Sequence, residues 1–255
     1  MIDEELLLEI RTIAEDVARS VGEQMPARRR AGFSWETKST ATDVVTEIDT
    51  WAEKVIVEAI SSSRPDDGFL GEEGTDDPGT TGLRWVIDPV DGTTNLLYDL
   101  PGYNVSIGVE FEGAPVAGAV YDPIRSELYS AARGTGATLN GDSISVSGKT
   151  DLSSALVATG FNYDSELRRS QAQTLVKVLP AIRDIRRFGG AALDLCAVAS
   201  GRVDAFFEIG LQPWDACAGS IIAAEAGAFV DVGELTVVAT TGIAQSLVDL
   251  LDTAG

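Results

Sequence analysis

Ile2, Leu6, Ile10, Ile13, Val17 and Val21 recur at steps of three and four, the spacing of one helical face, and predict an amphipathic helix running to about Ser20. Three consecutive arginines make residues 27–32 a predicted loop. The segment 40–49 then leads into a second helix, on which Ile48, Trp51, Ala52, Val55, Ile56 and Ala59 share a face. Residues 61–82, rich in Ser, Asp, Gly and Pro, are predicted to be mostly loop, interrupted by the apolar pair Phe69-Leu70. From Arg84 the texture changes to short β-type runs at 85–88, 103–111, 115–121 and 127–131, and Asn140-Gly141 is a strong tight-turn signal. That stretch reads as a meander. Beyond Ser143, strands near 156–159, 184–188, 203–208 and 235–239 alternate with helices at 166–179, 191–199, 214–226 and 243–251. Such alternation predicts an α/β half built on crossover connections.

Composition narrows the chemistry. With 255 residues, 44% hydrophobic and 23% charged, the chain has the proportions of a globular protein with a sizeable core. Its two cysteines, Cys196 and Cys217, lack paired spacing, which suggests neither a disulfide framework nor a Cys-based metal site and fits a reducing cytoplasm. Histidine is absent, so Ser–His and Cys–His nucleophile pairs and zincin-type zinc sites are ruled out. Any enzyme here works with carboxylates, hydroxyls, lysine, backbone amides or a hard cation held through oxygen. A formal charge of −21 disfavours non-specific binding to nucleic acid or anionic lipid. The acidic start MIDEELLLEI lacks a basic n-region, and no apolar run is long enough to span a bilayer, so neither an export signal nor a membrane segment is expected.

The densest chemistry lies in Trp85-Val-Ile-Asp88-Pro-Val-Asp91-Gly-Thr-Thr-Asn95. An apolar strand ends at Asp88, Pro89 keeps Asp88 extended, and the turn brings Asp91 back beside it. Two carboxylates in one small site raise each other's pKa unless neutralised, and oxygen-liganded Mg²⁺ is a natural neutraliser. A helix or turn beginning at Gly92, Thr93 and Thr94 would aim free N–H groups at an anion. Upstream, Gly71-Glu72-Glu73-Gly74 holds two carboxylates in a loop; downstream, Pro213-Trp214-Asp215 places a carboxylate at the start of an apolar helix.

Together these segments resemble the inositol monophosphatase family across nearly the whole chain. The family's D-P-x-D-G-T-x-N string stands at Asp88 to Asn95, and W-D-x-x-A-G at Trp214 to Gly219, followed by Glu225-Ala-Gly227. Lys38, the TDVVTEID stretch ending at Asp49, Arg186-Arg-Phe-Gly-Gly-Ala-Ala192 and Asp204-Ala-Phe-Phe-Glu208 match as well. The resemblance implies a layered αβαβα sandwich, with residues 1–140 an N-terminal α+β domain carrying metal-binding motifs and 141–255 a C-terminal α/β domain completing the site. It implies Mg²⁺ as cofactor: Glu72, Asp88 and the Val90 carbonyl for a first ion, Asp88, Asp91 and Asp215 for a second, and Glu72 with waters for a weaker third. The water-activating pair falls on Asp49 and Thr93 with Glu72 nearby, and Lys38 and Glu73 are further candidates beside the metal waters. Amides of Gly92, Thr93 and Thr94 would hold phosphoryl oxygens, while Asp91, Glu208, Asp215 and the Gly189-Gly190-Ala191 backbone would meet the substrate.

The implied activity is hydrolysis of a small phosphate monoester, with myo-inositol 1-phosphate leading. Histidinol phosphate, fructose 1,6-bisphosphate and 3′-phosphoadenosine 5′-phosphate are the alternatives within the same chemistry, and a regulatory binding protein is the alternative outside it. A homodimer is expected from the family. Two departures bear on selectivity: Tyr98 stands where relatives often have His, and Gly190 where a Thr or Ser is common. The connection after Gly227 is also short.

Overall fold

The computed structural model describes residues 2–38, 40 and 42–254; Ala41, inside the predicted lead-in to the second helix, lies outside them. Helix α1 (Glu4–Gly22) starts where the Asp3 carboxylate accepts from the Leu6 N–H at 2.9 Å, and it buries Leu7, Ile10, Ala14, Ala18 and Val21. The arginine run is not a loop but a second helix, α2 (Met25–Ala31). Pro26 fits its first turn and Met25 is buried; Arg28 lies 3.5 Å over the Trp51 ring, and Arg29 donates to the Leu96 carbonyl at 2.6 Å. Strands β1 (Trp35–Thr37) and β2 (Val44–Thr46) pair as an antiparallel ribbon. Helix α3 (Glu47–Ser63) follows, opened by a capping box between Thr46 and Asp49.

An eight-stranded sheet is built from β3 (Gly68–Gly71), β4 (Asp76–Asp77), β5 (Leu83–Asp91), β6 (Asn104–Phe111), β7 (Ala114–Asp122), β8 (Glu127–Ala132), β9 (Ala137–Leu139) and β10 (Asp142–Ser143). Its order is β10-β9-β8-β7-β6-β5-β3-β4, antiparallel throughout except for β3 beside β5. The Phe69-Leu70 pair is therefore strand. The short helix α4 (Thr93–Tyr98) interrupts the meander between β5 and β6. Asn140 and Gly141 both take left-handed backbone conformations, as the tight turn between β9 and β10 requires.

The second sheet contains β11 (Leu156–Thr159), β12 (Asp184–Arg186), β13 (Ala205–Ile209), β14 (Ala228–Asp231) and β15 (Leu235–Thr240), in the order β12-β11-β13-β15-β14. Helices α5 (Ser165–Val178), α6 (Ala191–Ala199), α7 (Pro213–Glu225) and α8 (Ala244–Ala254) connect or follow these strands. Crossovers make β12, β11 and β13 parallel, but β15 is antiparallel to both β13 and β14. The alternation is thus broken by β14, an edge strand that turns back through residues 232–234 directly into β15.

Five layers result. Helices α1 and α3 cover one face of the eight-stranded sheet, burying Ile10, Ile56, Trp85 and Ile107. Helices α6 and α7 fill the space between the sheets, with Leu195, Ala218 and Ile222 packed beside Phe206 and Val238. Helices α5 and α8 lie on the outer face of the second sheet, where Leu247 of α8 joins Val157, Ala205 and Val237 of the strands in one core. This αβαβα sandwich brings the end of β5 and the leading turns of α6 and α7 to one cavity.

Candidate active site

A cavity of about 580 Å³ opens where these ends meet. Its walls include Lys38, Glu72, Asp88, Val90, Asp91, Gly92 and Thr93 from the first half of the chain. From the second half come Gly189, Gly190, Ala191, Glu208 and Asp215. Among the predicted site residues, Asp49, Glu73 and Thr94 stand off this wall. Asp49 sits behind Thr93, Glu73 pairs with Lys38, and Thr94 lies in the first turn of α4, where helix N–H groups lack intrahelical partners.

Asp88 and Asp91 are held by the end of β5. Asp88 accepts from the Val90 N–H at 3.1 Å; the sharp turn continues through Gly92, whose left-handed backbone starts α4. Gly92 is also close-packed: a Cβ there would stand 2.6 Å from the Gly102 carbonyl oxygen. Asp91 ties the two halves together. It accepts from Ala191 N–H at 3.1 Å and Ala192 N–H at 2.8 Å, both at the start of α6, and from Asn104 Nδ2 at 2.8 Å. Asp215 accepts from the Gln212 N–H at 2.7 Å in a capping box at the start of α7.

Electrostatics follow from burial and like charge. Burial pushes Asp88 well above the usual carboxylate range, and Glu72, Asp91 and Asp215 push it further. Asp91 is raised by burial against the pull of its donors, and Asp215 is raised by burial and then by Asp91. Asp49 is also raised by burial, although hydroxyls of Thr46 and Thr93 bind its two oxygens, the latter at 2.9 Å. Thr93 Oγ1 is likewise 3.0 Å from the Val90 carbonyl oxygen.

Lys38 Nζ lies 3.0 Å from Glu72 Oε1 and 2.6 Å from Glu73 Oε1. Burial alone would lower its pKa, but the charge of Glu72 and hydrogen bonds to both glutamates raise it. Glu73 is pushed up to about 7 by burial, against the pull of Lys38. At the other end of the cavity burial, with repulsion from Asp91, lifts Glu208 to about 7, while Arg187 pulls it down.

The donor set fits a hard divalent cation in kind. Glu72, Asp88, Asp91 and Asp215 offer only oxygen to a single cavity, and among the described residues the three aspartates have no cationic partner in an ion pair. Protonation or a bound cation must relieve their repulsion. As they stand, among the described residues, no three acidic, Cys or His side chains meet at metal-ligand spacing. The fit therefore rests on the buried, uncompensated oxygen donors.

Three residues in or beside the cavity, Asn104, Asp194 and Tyr163, carry no signal in the sequence strings. Asn104, a lone amide at the start of β6, holds Asp91. Asp194 is buried in α6 with one oxygen lacking a hydrogen-bond partner; the apolar run around it reads only as core. Tyr163 is pushed up to about 12 by burial and by Asp91, Asp43 and Glu72. Arg187 lines the cavity, whereas Arg186 is ion-paired to Asp184.

A family model described as "Inositol monophosphatase family" matches residues 6–250. The inositol-1-monophosphatase SuhB of Mycobacterium tuberculosis is 42% identical over 269 residues, covering 95% of this chain and 93% of that protein. The Nus factor SuhB of Pasteurella multocida is 42% identical over 222 residues, covering 86% of this chain and 83% of that protein. Among solved structures, the extragenic suppressor protein suhB of Bartonella henselae superimposes with a TM-score of 0.92 at 34% identity, over 97% of this chain and 100% of that one. The chain belongs to the inositol monophosphatase family, and so to the metal-dependent phosphoric monoester hydrolases.

Proposed function

We propose that the protein hydrolyses a small phosphate monoester with Mg²⁺, and that myo-inositol 1-phosphate is its leading substrate. The observation that carries this reading is the meeting of Glu72, Asp88, Asp91 and Asp215 in one cavity, with the Asp49–Thr93 pair against its wall. Glu72, Asp88 and the Val90 carbonyl are assigned to one ion, Asp88, Asp91 and Asp215 to a second, and Glu72 to a weaker third. Bound there, the ions supply a lowered pKa for water and neutralise charge on the attacking and leaving oxygens.

The chain's own groups do the rest. When Thr93 donates to Asp49, the lone pairs of its oxygen remain to accept from a water in the cavity and orient it. Asp49, buried and raised in pKa, is suited to take up a proton. The N–H groups of Gly92, Thr93 and Thr94 face the phosphoryl oxygens as fixed donors. Glu208, Asp91 and the Gly189-Gly190-Ala191 backbone take the hydroxyls of a polyol, since carboxylates and carbonyls accept and N–H groups donate. With Arg186 bound to Asp184, only Arg187 of that pair serves a second phosphate, which ranks bisphosphates below monoesters.

The same reading has a homodimer working in the cytoplasm, its N-terminal α+β and C-terminal α/β domains dividing near residue 140. The complete oxygen-donor set favours catalysis over a purely regulatory role. The test is a ranking of kcat/KM for myo-inositol 1-phosphate, histidinol phosphate, fructose 1,6-bisphosphate and 3′-phosphoadenosine 5′-phosphate. Preference for myo-inositol 1-phosphate supports the assignment. A preference for cationic histidinol phosphate would give Glu208 and its acidic neighbours the role of charge recognition instead.

A further inference from the structure

We infer that Glu53, a buried carboxylate of α3 outside the cavity wall, is a positioning residue for the metal site. It sets the loop that carries Glu72 and Glu73. The inference rests on the phosphatase reading for its consequence, though not for its geometry. Glu53 is 4% exposed and has no ion-pair partner among the described residues, yet both oxygens are used. Oε2 accepts from the Glu73 N–H at 2.8 Å; Oε1 accepts from the Thr75 N–H at 3.0 Å and the Thr75 hydroxyl at 2.6 Å. These three donors lie in one turn, closed by a hydrogen bond from Gly71 N–H to the Thr75 carbonyl at 2.8 Å. Glu72 sits inside that turn and is fixed to β5 by its own N–H, 3.1 Å from the Ile87 carbonyl.

A second observation is independent of those bonds. A Cβ added at Gly71 would collide with the Glu53 carboxylate, and all three of its nearest contacts would be atoms of that group. The absence of a side chain at 71 is therefore matched to the presence of one at 53. Helix α3 already supplies Asp49, one turn before Glu53, so one helix orders both the Asp49–Thr93 pair and the Glu72 loop. Outer groups that hold a ligand's backbone set its angle of approach to a metal, and a carboxylate facing only donors cannot be replaced by an amide without turning a donor onto a donor.

The experiment compares wild type, Glu53→Gln and Thr75→Val, the last being the milder change because it removes one donor and keeps the side-chain shape. Amide hydrogen exchange is measured without metal, Mg²⁺ binding by calorimetry, and substrate KM and kcat over a Mg²⁺ series. In Glu53→Gln the Glu73 and Thr75 amides should exchange at least about tenfold faster. Mg²⁺ affinity should fall roughly 10- to 100-fold. Substrate KM at saturating Mg²⁺ should stay within about twofold, as the substrate end is untouched. Thr75→Val should shift exchange and Mg²⁺ affinity the same way by a smaller factor. Unchanged exchange, or faster exchange with wild-type Mg²⁺ affinity, in either folded variant would overturn the inference. Failure of the phosphatase reading is separately visible: wild type itself would then release no phosphate in Mg²⁺, while exchange would still report on the loop.

Discussion

Thr93 has one hydroxyl proton and two acceptors, Asp49 at 2.9 Å and the Val90 carbonyl at 3.0 Å, so Asp49 decides whether its lone pairs face the cavity. Thr93→Val keeps the shape and removes the oxygen; kcat should fall by roughly 10²–10⁴ with an unchanged circular dichroism spectrum. Wild-type turnover in that variant would remove Thr93 from the reaction. Glu208 yields a prediction with a sign. Its folded pKa of about 7 exceeds its ordinary 4.5, so between those values the folded state holds a proton that the unfolded chain has released. Stability attributable to this group is therefore lost as pH rises through that window. Glu208→Gln should match wild type near pH 4.5 in urea unfolding and become the more stable of the two by pH 8, on the order of 3 kcal/mol at most. A variant less stable than wild type at pH 8 would contradict the burial argument.

Helix α7 joins the candidate site to the packing, because it carries Asp215 in its first turn and then runs between the two sheets. Ile222 is fully buried there, well along the helix from Asp215, and Ile222→Ala should cost about 2–5 kcal/mol in urea unfolding while the folded enzyme keeps its turnover. A loss of turnover without loss of stability would mean that α7 transmits more than its position. Sequence periodicity found the elements whose apolar faces are continuous: α1, α3, the β5-to-β8 meander and α5 to α8. It missed those made by context. Helix α2 is written in arginines and stands because its own Met25 is buried in the core and its Arg28 stacks on Trp51. Strands β1 and β2 are three residues each, and β1 is exposed throughout, so no alternation marks them. The edge strand β14 alternates half-buried and exposed positions in only four residues, too few to register. The candidate site was legible where motifs were contiguous, at Asp88–Asn95 and Trp214–Gly219. Asn104, which holds Asp91, and Glu53, which holds the Glu72 loop, are single polar residues on other elements, and only the fold reveals whom they face.

At the scale of the molecule the net charge is −21, and part of that excess of carboxylates meets in a cavity with three raised aspartates. Any salt should relieve the diffuse repulsion, but Mg²⁺ should do more than NaCl of equal ionic strength because it also binds the carboxylates. At a free concentration 100 times its Kd, one ion bound only by the folded state adds about 2.7 kcal/mol, or roughly 5–10 °C in Tm for a chain of this size. Equal shifts with the two salts would argue for screening alone, and EDTA should reverse the Mg²⁺ shift and nothing else. The central claim is that the carboxylates joined at Asp91 make this cavity a metal-dependent phosphatase. The measurement that tests it most directly is phosphate release from myo-inositol 1-phosphate, with and without millimolar Mg²⁺, by wild type and Asp91→Asn. Turnover that requires Mg²⁺ and falls by at least roughly 100-fold in the folded variant is the predicted result. Turnover without Mg²⁺, or a fully active Asp91→Asn protein, would contradict it.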